Sequence, residues 1–190
     1  MDTYEKDFRF KWQRMKIIDS HQHFWNYDPV TCGWMNDDMH EIRRSFLPED
    51  LSVLLNNNDV FGCVTVQAEQ SENETIWLLE LADKHSFVKG VVGWADLKSP
   101  NLSMRLEYYQ QFIKLKGFRH ILQAEDPTFM LQPAFLQGVR LLQQYDFTYD
   151  LLIFPTHLNA ALELIKKFPT QKFIVDHLAK PYIRTGAIEE

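Results

Sequence analysis

The strongest constraint on the fold is an alternation of short apolar runs with longer segments of helical periodicity. The short runs have strand length, and most are apolar at consecutive positions, which is typical of strands buried on both faces. Strand and helix in regular alternation predict a parallel sheet built from right-handed crossovers. The predicted strands cover 15–19, 62–67, 88–94, 115–119, 148–153 and 172–176, and the predicted helices cover 47–57, 71–85, 102–114, 133–145 and 157–168.

Two predicted helices carry recognisable boundary signals. Ser71 and Glu74 have the spacing of a capping box, in which each side chain bonds the backbone N–H group of the other residue. Thr156 stands before the last predicted helix as an N-cap residue, and Pro169 follows that helix as a stop.

A doubly wound sheet and a (β/α)8 barrel both satisfy this alternation. No G-x-G-x-x-G motif or P-loop follows a predicted strand, so the main argument for a nucleotide-binding sheet is missing. Polar residues instead follow the C-terminal ends of many strands, as they do at the mouth of a barrel. The sequence therefore predicts a TIM-like (β/α)8 barrel. Because such barrels usually take about 250 residues, we expect the 190 residues, as one domain over 1–190, to hold about six of the eight βα units.

Composition excludes several classes of function. The chain has 20 Lys and Arg against 26 Asp and Glu, a net charge of −6, which argues against binding to the phosphates of a nucleic acid. No segment approaches the roughly 20 apolar residues of a membrane helix, and residues 1–16 are too charged for a secretory signal. The two cysteines, Cys32 and Cys63, are predicted to be reduced, which indicates a cytoplasmic protein.

The first predicted strand leads into two histidines, His21 and His23. In an extended chain, residues two apart project to the same side, so both imidazoles would point into the barrel mouth. There they could bind one divalent ion or, without metal, donate hydrogen bonds to an oxyanion. A surface or packing pair is the alternative, although the position directly after a buried strand favours a functional pair.

The ends of the fourth and sixth predicted strands add further candidates. Arg119 and His120 end the fourth strand, and a guanidinium suits a carboxylate or a polarised carbonyl oxygen. His177 follows the sixth strand and brings a third imidazole to the same face of the barrel. Asp176 and His177 could instead form a structural pair within their loop.

Three residues have less specific assignments. Gln67, at the end of the second predicted strand, could bind a sugar hydroxyl or serve as a polar cap. Trp25 belongs to an aromatic stretch that could cover a small ligand or pack within its own loop. Asp150 lies inside the fifth predicted strand, where it could be a core or an edge residue.

Six ordered segments, spread over almost the whole chain, resemble one known family. This family comprises the amidohydrolase-related sugar lactonases of the amidohydrolase-2 group, typified by L-rhamnono- and L-fuconolactone hydrolases. The resemblance implies a (β/α)8 barrel of the metal-dependent hydrolase type, in agreement with the strand pattern. The segments are IDSHQHFW at 18–25, FLPEDL at 46–51, VQAEQSENET at 66–75, VVGWADL at 91–97, LKGFRH at 115–120 and VDHLAKP at 175–181.

The resemblance also implies an activity, the hydrolysis of an aldonolactone by attack of water on the ring ester carbonyl. His21, His23 and His177 would be catalytic and, where a divalent metal is bound, would be its ligands. Three neutral imidazoles favour zinc, and a metal-independent reaction is the alternative. Family members place the general base, an Asp, at the end of the eighth strand in a G-S-D-W-P-like stretch that these 190 residues do not contain. The residues implied to bind substrate are Arg119, His120, Gln67 and Trp25.

Two other interpretations stay open. The chain could be a catalytically inactive barrel fragment, or its site could perform another amidohydrolase-type reaction such as C–N hydrolysis or decarboxylation, because one fold hosts many chemistries. Six strands of a parallel barrel also leave two sheet edges unpaired. We therefore expect self-association through the open edges, besides the binding of a small sugar lactone.

Overall fold

The computed structural model describes residues 16–30, 32–33 and 35–186. In this part of the chain, six parallel strands form one sheet whose spatial order follows the sequence. The sheet curls into an incomplete (β/α)8-type barrel, which confirms the predicted fold class. The strands are β1 Ile17–Gln22, β2 Val60–Val66, β3 Val88–Gly93, β4 Leu115–His120, β5 Thr148–Leu151 and β6 Phe173–Val175.

Each connection between neighbouring strands contains one α-helix. The first predicted strand is shifted, because β1 continues to Gln22, while Met15 lies outside the described residues. The third helix stops at Tyr109 rather than at 114, since the Phe112 N–H closes a turn onto the Tyr109 carbonyl. No helix of the described ranges is long and apolar enough to cross a membrane. The helices are α1 Pro48–Asn57, α2 Glu72–Lys84, α3 Leu102–Tyr109, α4 Pro133–Gln144 and α5 Leu158–Lys167.

The core lies between the sheet and the helices that cover its outer face. Helices α2 to α5 each bury a leucine completely, and full burial of one such side chain stabilises the fold by about 1.5–3 kcal/mol. Helix α4 also needs a glycine at Gly138, because a Cβ there would collide with the Leu97 carbonyl. Because apolar side chains fill the space between the sheet and the helices, polar side chains collect at the carboxyl-end edge of the sheet. The four leucines are Leu78, Leu106, Leu142 and Leu164.

The predicted capping box at the start of α2 does not form, although Ser71 still caps the helix. The Ser71 hydroxyl accepts a hydrogen bond from the Asn73 N–H at 3.1 Å. The Glu74 carboxylate does not bond the Ser71 N–H in return. It instead accepts from the backbone N–H groups of Ala68 and Glu69, which belong to the loop after β2.

The N-cap prediction for Thr156 is wrong. Pro155 starts a 3-10 turn in which the His157 N–H bonds the Phe154 carbonyl, so α5 begins only at Leu158. The Thr156 hydroxyl contacts Nδ1 of its neighbour His157 instead of a helix N–H.

The outermost strands of the sheet are β1 and β6, and each has one strand neighbour among the described residues. Both expose apolar side chains: Ile17 is 50% exposed on β1, and Ile174 is 46% exposed on β6. An open strand edge with apolar side chains is a template for pairing with another chain.

We therefore expect the 190-residue chain to self-associate in a concentration-dependent manner, as measured by size-exclusion chromatography with light scattering. Ile174→Lys places a charge on the β6 edge, a device by which natural edge strands avoid pairing, and should shift the mass towards that of one chain. The matched control is Leu162→Lys, because Leu162 is 50% exposed but lies on α5. A wild-type chain that stays monomeric over the whole concentration range would contradict this prediction.

Candidate metal-binding active site

Polar side chains from three strands and their loops meet at the carboxyl-end edge of the sheet. His21 lies in β1 and His23 just after it, Arg119 lies in β4, and Asp176 and His177 directly follow β6. Parallel strands place their carboxyl ends at one edge, and the curl of the sheet brings His21 of β1 close to Asp176, which follows β6. These five residues are called the His–Arg–Asp cluster.

The imidazoles of His21 and His23 converge, with their Nε2 atoms 3.3 Å apart. Nδ1 of His23 lies 2.7 Å from the Val66 carbonyl oxygen and therefore carries the proton, which leaves Nε2 with a lone pair. Burial, together with the charge of Arg119, lowers the pKa of His23 to about 4. This imidazole is therefore neutral at physiological pH.

His21 connects β1 to the other two strands. Its Nδ1 lies 3.4 Å from Oδ1 of Asp176, and its Nε2 lies 3.3 Å from Nη1 of Arg119. A guanidinium can only donate, so Nε2 of His21 accepts and Nδ1 holds the proton towards Asp176. The Nε2 lone pairs of both histidines thus meet, which is the arrangement of two ligands around one cation.

Asp176 is the buried anion of the cluster, and its Oδ2 accepts a hydrogen bond from Nη1 of Arg119 at 3.0 Å. Burial opposes its ionisation, but hydrogen bonds from His21 and Arg119 hold the pKa of Asp176 below its usual value. Sequence reasoning missed this role, since it considered Asp176 only as a loop partner of His177. The available signal was the position of Asp176 directly after a buried parallel strand.

Gln67, which directly follows β2, and Arg119 of β4 hydrogen-bond to each other. The Gln67 amide donates to the Arg119 carbonyl at 3.2 Å, and Nη2 of Arg119 donates to the Gln67 carbonyl. Gln67 is 0% exposed and Arg119 only 4%, so both lie behind the imidazoles. Gln67 therefore supports the guanidinium, and its contact with a sugar hydroxyl stays a prediction.

His177 reaches the cluster from an exposed position on a left-handed turn, with a φ of 50°. Its ring centroid lies 4.7 Å from that of His21. Burial lowers the pKa of His177, which favours the neutral imidazole. His177 thus forms the solvent side of the cluster.

The donor set of the cluster fits a divalent ion. His21, Asp176 and His177 each offer one ligand atom, and these atoms lie within 4.8 Å of one another. The 3.3 Å between Nε2 of His21 and Nε2 of His23 is close to the roughly 3.4 Å expected between two nitrogens bound to a tetrahedral zinc. Neutral imidazoles and a carboxylate are ligands that zinc prefers. The candidate site therefore contains Asp176 in addition to the three predicted histidines.

The two remaining predicted substrate-binding residues have other partners. Nδ1 of His120 accepts from the Trp94 indole at 3.3 Å, and Nε2 of His120 donates to Glu125 at 3.1 Å. Trp25 packs on Phe46 with ring centroids 4.5 Å apart and pairs with its backbone. Over the described ranges, neither side chain hydrogen-bonds to the cluster, so substrate contacts of His120 and Trp25 stay predictions.

Asp150 is a second buried carboxyl group beside the cluster. It lies on β5 in register with Arg119, is 3% exposed, and has an Oδ1 without a hydrogen-bond partner in the described part of the chain. Burial, reinforced by the charge of Asp176, raises the pKa of Asp150 to about 7. Sequence reasoning left Asp150 without a role, because a single carboxylate inside a strand forms no motif.

This site lies within a segment that matches a known family. Residues 18–189 match the Amidohydro_2 family, described as amidohydrolase. The chain belongs to the amidohydrolase family. All five residues of the His–Arg–Asp cluster fall inside the matched segment.

This chain is similar to named lactonases. It is 36% identical over 166 residues to an L-fucono-1,5-lactonase from Burkholderia multivorans, a match that covers 86% of this chain and 56% of that protein. It is 27% identical over 95 residues to an L-rhamnono-gamma-lactonase from Scheffersomyces stipitis, covering 47% of this chain and 28% of that protein. The chain thus spans little more than half the length of the Burkholderia lactonase.

The fold of this chain is also similar to that of a solved structure. The crystal structure of an amidohydrolase from Burkholderia multivorans with bound zinc is 36% identical in sequence and superposes with a TM-score of 0.84. The superposition covers 88% of this chain and 59% of the other.

Removal of the Asp176 charge should destabilise the fold, because Arg119 would stay buried without its anion. Breaking one partner of a buried ion pair typically costs about 3–5 kcal/mol. We expect Asp176→Asn to lower the free energy of unfolding by about that amount, measured by urea unfolding followed with circular dichroism.

The matched control is Asp146→Asn. Asp146 pairs with Lys172 at 2.6 Å on the surface, where both side chains are largely exposed, and such pairs are worth under about 1 kcal/mol. Equal losses of stability in the two variants would contradict the central role of Asp176.

Glu74 makes the stability of the fold depend on pH. Burial raises the pKa of Glu74 to about 7 from an ordinary value of 4.5. The folded state therefore keeps a proton that the unfolded chain releases, so this group's contribution to stability falls as the pH rises from about 4.5 to about 7.

We expect Glu74→Gln to remove this part of the pH dependence. Relative to wild type, the variant should gain at most about 3 kcal/mol of unfolding free energy between pH 4.5 and pH 7. The control is Glu80→Gln, an exposed position on the same helix, in which the wild-type slope should persist. Parallel stability curves for wild type and Glu74→Gln would refute the prediction.

Proposed function

We propose that the His–Arg–Asp cluster is the site at which a small sugar-acid lactone is hydrolysed by water. The observation that carries the proposal is the convergence of three imidazoles, a guanidinium and a carboxylate at the barrel mouth. The 36% identity to an L-fucono-1,5-lactonase supports an aldonolactone as the substrate class. The ester carbonyl of such a lactone gains negative charge when water attacks it, and this charge needs donors.

Two of the described residues can stabilise this charge, His177 by a direct hydrogen bond and Arg119 by its charge. His177 is exposed at the mouth, where its ring N–H can bond the carbonyl oxygen directly. Arg119 lies behind the imidazoles, and its charge makes the whole site favourable for a developing anion. One well-placed donor can stabilise a transition state of this kind by about 3–4 kcal/mol.

Zinc is the cofactor that this donor set would hold, through His21, His23, His177 and Asp176. A bound zinc ion supplies a Lewis acid that polarises a carbonyl and makes water more acidic. The Nε2 atoms of His21 and His23 are both unprotonated, as ligation requires, although a zinc ion would have to replace the hydrogen bond from Arg119 to His21. The contact of Val66 with His23 and that of Asp176 with His21 fix the two tautomers.

The general base is proposed to come from outside the described residues. Asp176 is already assigned to zinc ligation and to its contacts with His21 and Arg119, so another group is needed to accept a proton from water. The similarity to sugar lactonases implies an Asp at the end of an eighth strand for this task.

The test is an acid-release assay on L-fucono-1,5-lactone, L-rhamnono-gamma-lactone and D-galactonolactone. Because the described residues lack the proposed general base, we expect the wild-type chain to accelerate the hydrolysis of at least one lactone only weakly, and His21→Asn to abolish that acceleration. The matched control is His40→Asn, because His40 is exposed on the 3-10 turn Asp37–Ile42 and should be dispensable.

Zinc binding gives a readout that does not depend on activity. Isothermal titration with zinc chloride should show one site in wild type and in His40→Asn, and none in His21→Asn. A folded, zinc-binding chain that hydrolyses amides but no lactone would refute lactone hydrolysis in favour of C–N hydrolysis. A chain that accelerates neither reaction would support a catalytically inactive fragment.

A further inference from the structure

The loop after β6 contains a strained left-handed turn, His177–Lys180. Four successive non-glycine residues have φ between 50° and 58°. Left-handed backbone is unfavourable for an ordinary residue, and it persists where surrounding contacts impose it, often at functional sites. Buried Asp176 and buried Ala179 anchor this turn. The turn directs two polar side chains to the barrel mouth, and only His177 belongs to the cluster.

The other side chain, Lys180, is held in place by two neighbouring loops. Its Nζ donates to Oε1 of Gln123 at 2.5 Å and lies 5.4 Å from the ring centroid of Phe154. Gln123 follows β4, Phe154 follows β5 and Lys180 follows β6, so three successive loops of the mouth meet at this ammonium. All three side chains are half-buried and therefore keep part of their surface open to solvent.

Lys180 lacks the partner that a half-buried ammonium usually has. In the described ranges, no carboxylate oxygen lies within 4.0 Å of its Nζ, although the chain as a whole has a net charge of −6. Lys172, by contrast, pairs with Asp146 at 2.6 Å. A neutral amide and an aromatic face orient the Lys180 charge without neutralising it, which leaves it available to an anion.

We propose that Lys180, positioned by Gln123 and Phe154, binds the carboxylate of a sugar acid. The inference rests on the proposed function for the identity of this ligand, since hydrolysis turns a neutral lactone into an aldonate anion. The Lys180 N–H bonds the His177 carbonyl at 2.9 Å, so the ammonium and the cluster belong to the same wall of the mouth. The carboxylate is the one charged group of an aldonate, and an ammonium is a compact point charge that suits it.

The experiment is isothermal titration of the 190-residue chain with sodium L-fuconate and with L-fucitol, its neutral alditol. We expect wild type to bind L-fuconate more tightly than L-fucitol at low ionic strength, and added sodium chloride to weaken only the former. Lys180→Gln should weaken L-fuconate binding about tenfold and leave L-fucitol binding unchanged. Lys180→Arg, which keeps the charge, should retain most of the affinity.

Two further variants separate binding from folding. Lys172→Gln removes a lysine that precedes β6, at the opposite end of the strand, and should leave L-fuconate affinity within twofold of wild type. Gln123→Leu removes the acceptor that orients Lys180 without altering the strained turn, and should weaken L-fuconate binding about threefold.

The inference is wrong if Lys180→Gln and Gln123→Leu both bind L-fuconate within twofold of wild type. It is equally wrong if wild type binds L-fuconate no more tightly than L-fucitol. Because the titration requires no turnover, charge-dependent L-fuconate binding without lactone hydrolysis would refute the proposed function and leave the subsite intact. Lactone hydrolysis with charge-independent L-fuconate binding would refute the Lys180 subsite and leave the proposed function intact.

Discussion

The Arg119–Asp176 ion pair is the contact on which the rest of the site depends. It joins β4 to the loop after β6, and His21 extends it to β1, so the pair spans the interior of the curled sheet. Burying two charges is costly unless their remaining hydrogen-bonding capacity is used, and Gln67 contributes to this by binding the guanidinium. The curvature of the sheet and the geometry of the cluster are therefore maintained by the same side chains.

The guanidinium also sets the protonation of the groups around it. Hydrogen bonds from His21 and Arg119 keep Asp176 ionised, whereas Asp150 on the adjacent strand has an unpartnered oxygen and a pKa raised to about 7 by burial. His23 is shifted in the opposite sense, to a pKa of about 4, by burial and by the charge of Arg119. The two carboxyl groups thus differ in pKa, a pattern common where acid and base roles are divided.

Sequence patterns predict those features that depend on near neighbours in the chain. The strand–helix alternation predicted the barrel, and the spacing of His21 and His23 predicted that their imidazoles converge. The contact of Asp176 with Arg119 and the burial of Gln67 depend on residues more than 50 positions apart, which no local periodicity records. The left-handed turn after β6 was equally hidden, because no glycine marks it.

The side-chain contact between His21 and Asp176, which links the two outer strands, has a consequence for motion. His21 on β1 lies 3.4 Å from Asp176 after β6, although the two strands stand at opposite ends of the sheet order. Any fluctuation of the sheet that moves its outer strands apart must also separate these two side chains. Local opening of the outer strands and loss of the His–Arg–Asp cluster are thus one event. A ligand that bridges the cluster would therefore slow hydrogen exchange in both outer strands together.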